Sequence, residues 1–189
     1  GHAWAGIQAL RHANLHHGLL PFMARALEDP QAAQFIEEAL RNTDERIQVG
    51  KSVSPGFLFA ALLWPDLEKQ WQSLRKTGMP ALAALHAAID TVVAPSHTGI
   101  SIQRRHEGDM RDIWTMQPRF EKRVGRYPDR LVEVPRFRAG YDFMLLRSQT
   151  GYCKPSLGQW WTDFYHADLP QREALLATAK LEDIDSGQT

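Results

Sequence analysis

Apolar residues at helical spacing recur along almost the whole 189-residue chain, and this pattern constrains the fold more than any other feature. Leu85, Ile89 and Val92 follow one another at steps of four and three residues, which places them on one face of a helix. No segment alternates apolar and polar residues at the period of a β-strand. We therefore predict an all-α fold, an irregular array of about eight or nine helices.

Prolines and small polar residues mark where these helices begin and end. Ser54 followed by Pro55 predicts an N-cap and a first helical turn, and the apolar run at 57–64 predicts a helix in the core. Pro65 is predicted to end or kink that helix, because proline lacks an amide hydrogen and crowds the preceding turn. A separate surface helix is then expected up to Lys76, a loop at residues 95–99 and a last, weak helix at about 171–180.

The composition is that of an ordinary globular protein, with 43% apolar and 23% charged residues. Its longest apolar run has eight residues, far fewer than the roughly 20 of a membrane-spanning helix. The single cysteine, Cys153, excludes an internal disulfide, fits a reducing compartment such as the cytoplasm, and is expected to be a half-buried, inert thiol. We interpret the start at Gly1 and His2 as the remnant of a removed tag, expected outside the fold.

The neutral total charge, 22 basic against 22 acidic residues, conceals a local asymmetry. Residues 104–138 contain ten basic and six acidic side chains, whereas residues 28–46 contain six acidic and two basic ones. Nine of the ten basic residues are arginine, whose planar guanidinium binds phosphate in a bidentate manner and stacks on bases. This asymmetry indicates a local surface for single-stranded nucleic acid rather than a chain that is basic throughout.

The predicted interface consists of basic side chains that contact phosphates and one tyrosine ring that stacks on a base. Its members are Arg104, Arg105, Arg111, Arg119, Lys122, Arg123, Arg126, Tyr127, Arg136 and Arg138. The alternative is an ordinary solvated face, since several of these arginines have acidic neighbours in the sequence. The other aromatic residues at helical spacing, among them Trp114, Tyr141, Trp160 and Trp161, are typical of a core.

Motifs for catalysis or metal binding are weak. Glycine-rich phosphate loops, zinc-protease motifs and nucleophile elbows do not occur in the sequence. His12 and His16 have the spacing of two metal ligands on one helical face, and His17 follows, but no carboxylate or cysteine stands at ligand spacing nearby. Asp183 and Asp185 form a D-x-D pattern in an acidic end that we expect to be solvated. We predict no catalytic residue and no metal ligand.

Longer segments occur in an order that matches a known family. They are 40–47 (LRNTDERI), 55–64 (PGFLFAALLW), 111–114 (RDIW), 116–120 (MQPRF), 135–139 (PRFRA), 141–143 (YDF), 145–147 (LLR) and 160–164 (WWTDF). Their order and spacing resemble the C-terminal region of bacterial poly(A) polymerases, and the resemblance extends from about Trp4 to Phe164. Val134 and Gly140 depart from it, since relatives often have histidine and alanine there.

The resemblance implies a part of a larger enzyme. Members of that family add AMP from ATP to an RNA 3′ end without a template, and they share a head, neck and body with the CCA-adding enzymes. Their head has a Gly-Gly-x-x-Arg-Asp loop and a metal-binding D-x-D on a sheet, which this chain lacks. The resemblance thus implies the helical body without the head, so that no catalytic residue or cofactor belongs to this chain. ATP and Mg²⁺ would bind in the head.

We accordingly predict a helical body domain at residues 3–94, a C-terminal helical RNA-binding region at 95–181 and an acidic flexible tail at 182–189. The predicted function is to guide single-stranded RNA to the catalytic head of the same polypeptide. One alternative is a protein-docking or packing scaffold, which would use the acidic 28–45 face or exposed apolar helices to hold the head, a second copy or an RNA-decay protein. Another is a small metal hydrolase built on the histidines.

Overall fold

The computed structural model describes residues 2–13, 21–99 and 101–186, and these are folded into α-helices without a β-strand. The all-α prediction is confirmed. The helices are α1 (Ala3–His12), α2 (Pro21–Ala26), α3 (Pro30–Gln48), α4 (Pro55–Lys76), α5 (Ala81–Val93), α6 (Pro95–Thr98), α7 (Arg104–Met116), α8 (Tyr127–Val132), α9 (Phe137–Gln149), α10 (Pro155–His166) and α11 (Leu169–Ser186). A 3-10 helix, Gln117–Glu121, follows α7. Eight of these eleven α-helices have seven residues or more, which agrees with the expected number.

The chain folds into two compact units, Gly1–Thr115 and Met116–Thr189. Their boundary lies near the end of α7, whereas the predicted functional division falls between residues 94 and 95. That functional division and the flexibility of residues 182–189 stay predictions. None of the helices in the described residues is long and apolar enough to cross a membrane.

Helix α4 runs through the core of the first unit. Its N-cap is as predicted, because the Ser54 hydroxyl accepts a hydrogen bond from the amide of Phe57 at 3.3 Å. Pro65 does not end the helix, which continues to Lys76, so the prediction of a separate surface helix is wrong. The Trp114 indole donates to the carbonyl of Ala60 at 3.2 Å, in the part of the helix that precedes the proline. The carbonyl that Pro65 leaves without an intrahelical donor is that of Ala61, four residues earlier, so the hydrogen bond from Trp114 to Ala60 is an additional tertiary contact of the helix.

Two further elements differ from their predictions. Residues 95–98 form a helical turn rather than a loop, and this turn ends at Gly99, whose φ of 73° suits glycine. The last helix, Leu169–Ser186, is longer than the predicted segment 171–180. Both differences depend on what the segments pack against, and periodicity over a few residues does not report that.

The core of the second unit is aromatic. Phe120, Trp161 and Phe164 are fully buried, and the Trp161 indole donates to the carbonyl of Phe120 at 2.8 Å. The Phe120 and Trp161 rings meet edge to face, with their centroids 5.1 Å apart. These contacts attach the 3-10 helix to α10 and so position the basic residues that follow it. Trp114, Tyr141 and Trp160 are also buried, which confirms the expectation that the regularly spaced aromatic residues form the core.

Candidate nucleic-acid interface

The predicted interface residues of the first unit lie on α7. Arg104 and Arg105 are exposed in its first turn, and among the described residues neither has a carboxylate partner. Arg111, two turns later, instead lies 2.7 Å from Asp90 and 3.0 Å from Glu107. Burial lowers the pKa of Arg111, but its hydrogen bonds with Asp90 and Glu107 outweigh burial and leave the pKa above its ordinary value. Two carboxylates therefore already neutralise Arg111.

Two predicted arginines of the second unit also pair with acidic residues. Arg138 lies 2.9 Å from Asp142, one turn along α9. The hydrogen bond from Arg138 to Asp142 raises the pKa of Arg138, and burial opposes that effect only in part. Arg123 lies 3.2 Å from Glu182, a residue 59 positions further along the chain. Both pairs leave one partner exposed to solvent, so each is a surface ion pair of modest strength.

A third group of predicted residues forms what we call the Tyr127 cluster: Arg119, Lys122, Arg126 and Tyr127. The Arg119 Nε donates to the Tyr127 hydroxyl at 3.1 Å. The Lys122 ammonium lies over the Tyr127 ring, 4.8 Å from the ring centroid. Lys122 and Arg126 are exposed, and no cation of the cluster has a carboxylate partner among the described residues. The cluster thus combines uncompensated positive charge with an aromatic ring.

The backbone around the cluster follows from its prolines and one glycine. Pro118 lies in the first turn of the 3-10 helix, and Pro128 in the first turn of α8, where a missing amide hydrogen costs nothing. Gly125, with a φ of 62°, makes the turn between these two elements. This turn brings Tyr127 into contact with Arg119 and Lys122.

Arg130 and Arg136 are the two remaining basic residues of the segment 104–138. Arg136 adopts a φ of 66° immediately before α9, unusual for a residue with a side chain, and it has at least one further interaction partner. Arg130 is exposed on α8, one turn after Arg126, and was not among the predicted site residues. The i,i+4 spacing of Arg126 and Arg130 would have indicated it.

Sequence reasoning also missed what lies beneath Arg123. The Arg123 guanidinium carbon is 5.7 Å from the centroid of the Trp160 ring, within range of a cation–π contact. Trp160 was predicted only as a core residue, and no local pattern joins it to Arg123. Arg147, in contrast, is 6% exposed and donates to the Gln117 side chain at 3.3 Å, so it belongs to the core.

Candidate metal ligands do not gather in the part of the chain that is described: it contains no group of three or more histidine, cysteine, aspartate or glutamate side chains suited to a metal ion. His16 and His17, and the side chains of Asp183 and Asp185, lie outside the described residues, so those expectations stay untested. Cys153 is half-buried, with its Sγ 3.8 Å from the carbonyl of Met144, as expected.

The fold and the surface define only a broad class, the all-helical proteins that carry exposed basic residues beside an aromatic ring. A comparison with known proteins is more specific: residues 77–186 match the family described as "Polymerase A arginine-rich C-terminus". The match includes the whole Tyr127 cluster. The chain belongs to this family.

Similar curated proteins agree with this family. The chain is 32% identical over 182 residues to "Poly(A) polymerase I" of Salmonella typhimurium, and 33% identical over 172 residues to the protein of that name from Haemophilus influenzae. These matches cover 93% and 88% of this chain, but only 39% and 38% of the relatives. The chain therefore spans about two fifths of the length of the relatives it matches. The resemblance to bacterial poly(A) polymerases is confirmed.

Proposed function

We propose that this chain is an accessory C-terminal region of a poly(A) polymerase and that it binds single-stranded RNA through the Tyr127 cluster. The observation that supports this most is that the three cations around Tyr127 form no ion pair with a carboxylate of the described residues. An RNA phosphate would find these cations without having to displace an anion. Arg111 and Arg138 contribute less, because binding a phosphate would cost them an existing ion pair.

The Tyr127 ring suits a nucleobase once Lys122 leaves its face. A cation–π contact at an exposed site is worth about 0.5–1 kcal/mol. Stacking of a base on an aromatic ring is worth about 1–3 kcal/mol, so a base replaces the ammonium with a net gain. Lys122 is exposed and its side chain is long enough to move to a neighbouring phosphate. Arg119 holds the ring by its hydroxyl and thereby limits its motion.

The activity of the whole enzyme is a further part of the proposal. The parent protein would transfer AMP from ATP to the RNA 3′ end in a separate head, with divalent metal ions held by that head. The present chain would guide the strand toward the head and contribute no catalytic residue. Its setting would be the bacterial cytoplasm, with RNA, the head and RNA-decay proteins as partners. What supports this is the family and the names of the similar proteins.

The test is RNA affinity as a function of salt. We expect R119Q/K122Q/R126Q to bind a labelled oligoadenylate of about 15 nucleotides more weakly in fluorescence anisotropy, with a slope of log affinity on log salt shallower by about 2. The matched control is K51Q/K69Q/K76Q, which removes three exposed cations from the first unit and should leave the slope near that of the unchanged protein.

Two outcomes would contradict the proposal. Equal slopes for the two triple variants would exclude the Tyr127 cluster from the interface. The second outcome concerns size-exclusion chromatography. The protein would elute at the same volume with and without RNA, and its mass without RNA would be that of two chains. That result would favour the docking-scaffold alternative.

A further inference from the structure

We propose that Arg123, held over Trp160, is a second phosphate-binding site and that the Glu182 carboxylate occupies it until RNA binds. The inference rests on the proposed RNA-binding function and concerns its regulation. It makes the end of α11 an intramolecular competitor of the RNA backbone.

The first observation is the ion pair itself. Arg123 Nη2 lies 3.2 Å from Glu182 Oε2, although 59 positions separate the two residues in the chain. The Arg123 side chain is 22% exposed, whereas the Glu182 side chain is 56% exposed. The guanidinium is therefore the fixed partner and the carboxylate is the solvated one. Releasing Glu182 to water costs little, since an exposed ion pair is weak.

The second observation is the surface beneath the guanidinium. Trp160 is 8% exposed and stacks on Phe164, with the ring centroids 5.0 Å apart and an angle of 11° between the rings. This packing makes the indole a rigid support for Arg123, 5.7 Å above the ring centroid. The indole nitrogen of Trp160 is buried without a hydrogen-bond partner among the described residues. Arg123 is thus oriented before any ligand arrives, which lowers the entropy lost on binding.

The third observation is the neighbouring residue. Lys122 precedes Arg123 directly and lies over Tyr127, so two consecutive cations are each placed over an aromatic ring. An RNA strand that binds the Tyr127 cluster would pass close to Arg123. At Arg123, a phosphodiester of the RNA has the same charge as the Glu182 carboxylate. Like the carboxylate, it presents two oxygen atoms to the planar guanidinium. The sequence after Glu182 adds Asp183 and Asp185, which RNA would repel once the end of the helix is released.

The test compares two glutamate variants of the same helix. E182Q removes the carboxylate that contacts Arg123, and E173Q removes an exposed carboxylate of α11 that makes no contact with it. We expect E182Q to bind the same labelled oligoadenylate about twofold to fivefold more tightly than E173Q does. Its slope of log affinity on log salt should be steeper by up to about 0.7, the effect of one more phosphate contact on a single strand.

A second comparison is made in a variant that lacks the Arg123 guanidinium. In an R123Q background, E182Q should change RNA affinity no more than E173Q does, because the competition requires the guanidinium. Equal affinities of E182Q and E173Q with Arg123 present would overturn the inference, and the proposed function would survive if the unchanged protein bound RNA. RNA binding by E182Q but not by the unchanged protein would support the inference. The absence of RNA binding by the unchanged protein and by E182Q would overturn both proposals.

Discussion

Replacing Gly158 with alanine tests how closely α9 and α10 approach each other in the second unit. A Cβ atom at Gly158 would clash with the Oγ of Ser148, and it would lie 3.0 Å from the Cβ of Ser148 and 3.5 Å from the Cδ2 of Leu145. The hydroxyl could rotate away from the new methyl group. The Cβ of Ser148 could not, because it is bonded to the backbone of α9. The two helices would have to separate by several tenths of an ångström.

The expected magnitude is the difference between two opposing effects. Overpacking of a core by one methyl group costs about 1–3 kcal/mol. Alanine is more favourable than glycine inside a helix by about 1 kcal/mol, which offsets part of that cost. We therefore expect G158A to destabilise the second unit by about 0–2 kcal/mol. G108A is the matched control, since Gly108 is an exposed residue of α7 and a Cβ there meets nothing within 4 Å. It should stabilise the first unit by about 1 kcal/mol.

Urea denaturation followed by tryptophan fluorescence and far-UV circular dichroism measures both variants. The difference between their free-energy changes, about 1–3 kcal/mol, isolates the overpacking at Gly158 from helix propensity. S148A should restore little of the stability of G158A, because it keeps the Cβ of Ser148, which cannot move away from the new methyl group. A G158A variant stabilised as much as G108A would refute the close approach of α9 and α10.

Two other predictions concern the first unit. S54A removes the N-cap of α4 and should cost about 1 kcal/mol in urea denaturation, while S54D should retain most of that stability; equal losses would exclude the cap as the cause. The pKa of Arg111 is raised in the folded chain, so the stabilisation from its ion pairs is fully present below the ordinary pKa of arginine and is lost only as the pH rises through the raised pKa. The stability difference between R111A and the unchanged protein should therefore stay constant from about pH 6 to pH 10 in urea denaturation, and a steady decline over that range would contradict this assignment.

The sequence is sufficient to predict most of the helices, because helix formation depends on contacts between residues three and four positions apart. The cap at Ser54 and the buried run that follows it needed no tertiary information. The continuation of α4 through Pro65 did need it. Helix α4 packs against α2, α3 and α5, and Pro65 itself is buried. A window of the length used to recognise a helix does not include these neighbouring helices.

The same distinction applies to the candidate interface. The pair between Arg138 and Asp142 is separated by one helical turn, so an acidic neighbour was expected from the sequence. The pairs of Arg111 with Asp90 and of Arg123 with Glu182 span 21 and 59 positions, and the count of basic residues in 104–138 could not reveal them. The sequence therefore predicts which residues are basic, but it does not predict which of them are paired with a carboxylate.

The pairing of charges decides which basic residues can account for salt-dependent binding. A cation that already contacts a carboxylate exchanges one anion for another when RNA binds, so its contribution to the salt slope is small. An exposed cation without such a partner releases the counterions of a phosphate and contributes in full. Among the predicted interface residues, Arg104, Arg105, Lys122 and Arg126 are of this second kind. A chain with no net charge can therefore bind a polyanion, provided that its acidic residues neutralise one set of arginines and leave another exposed.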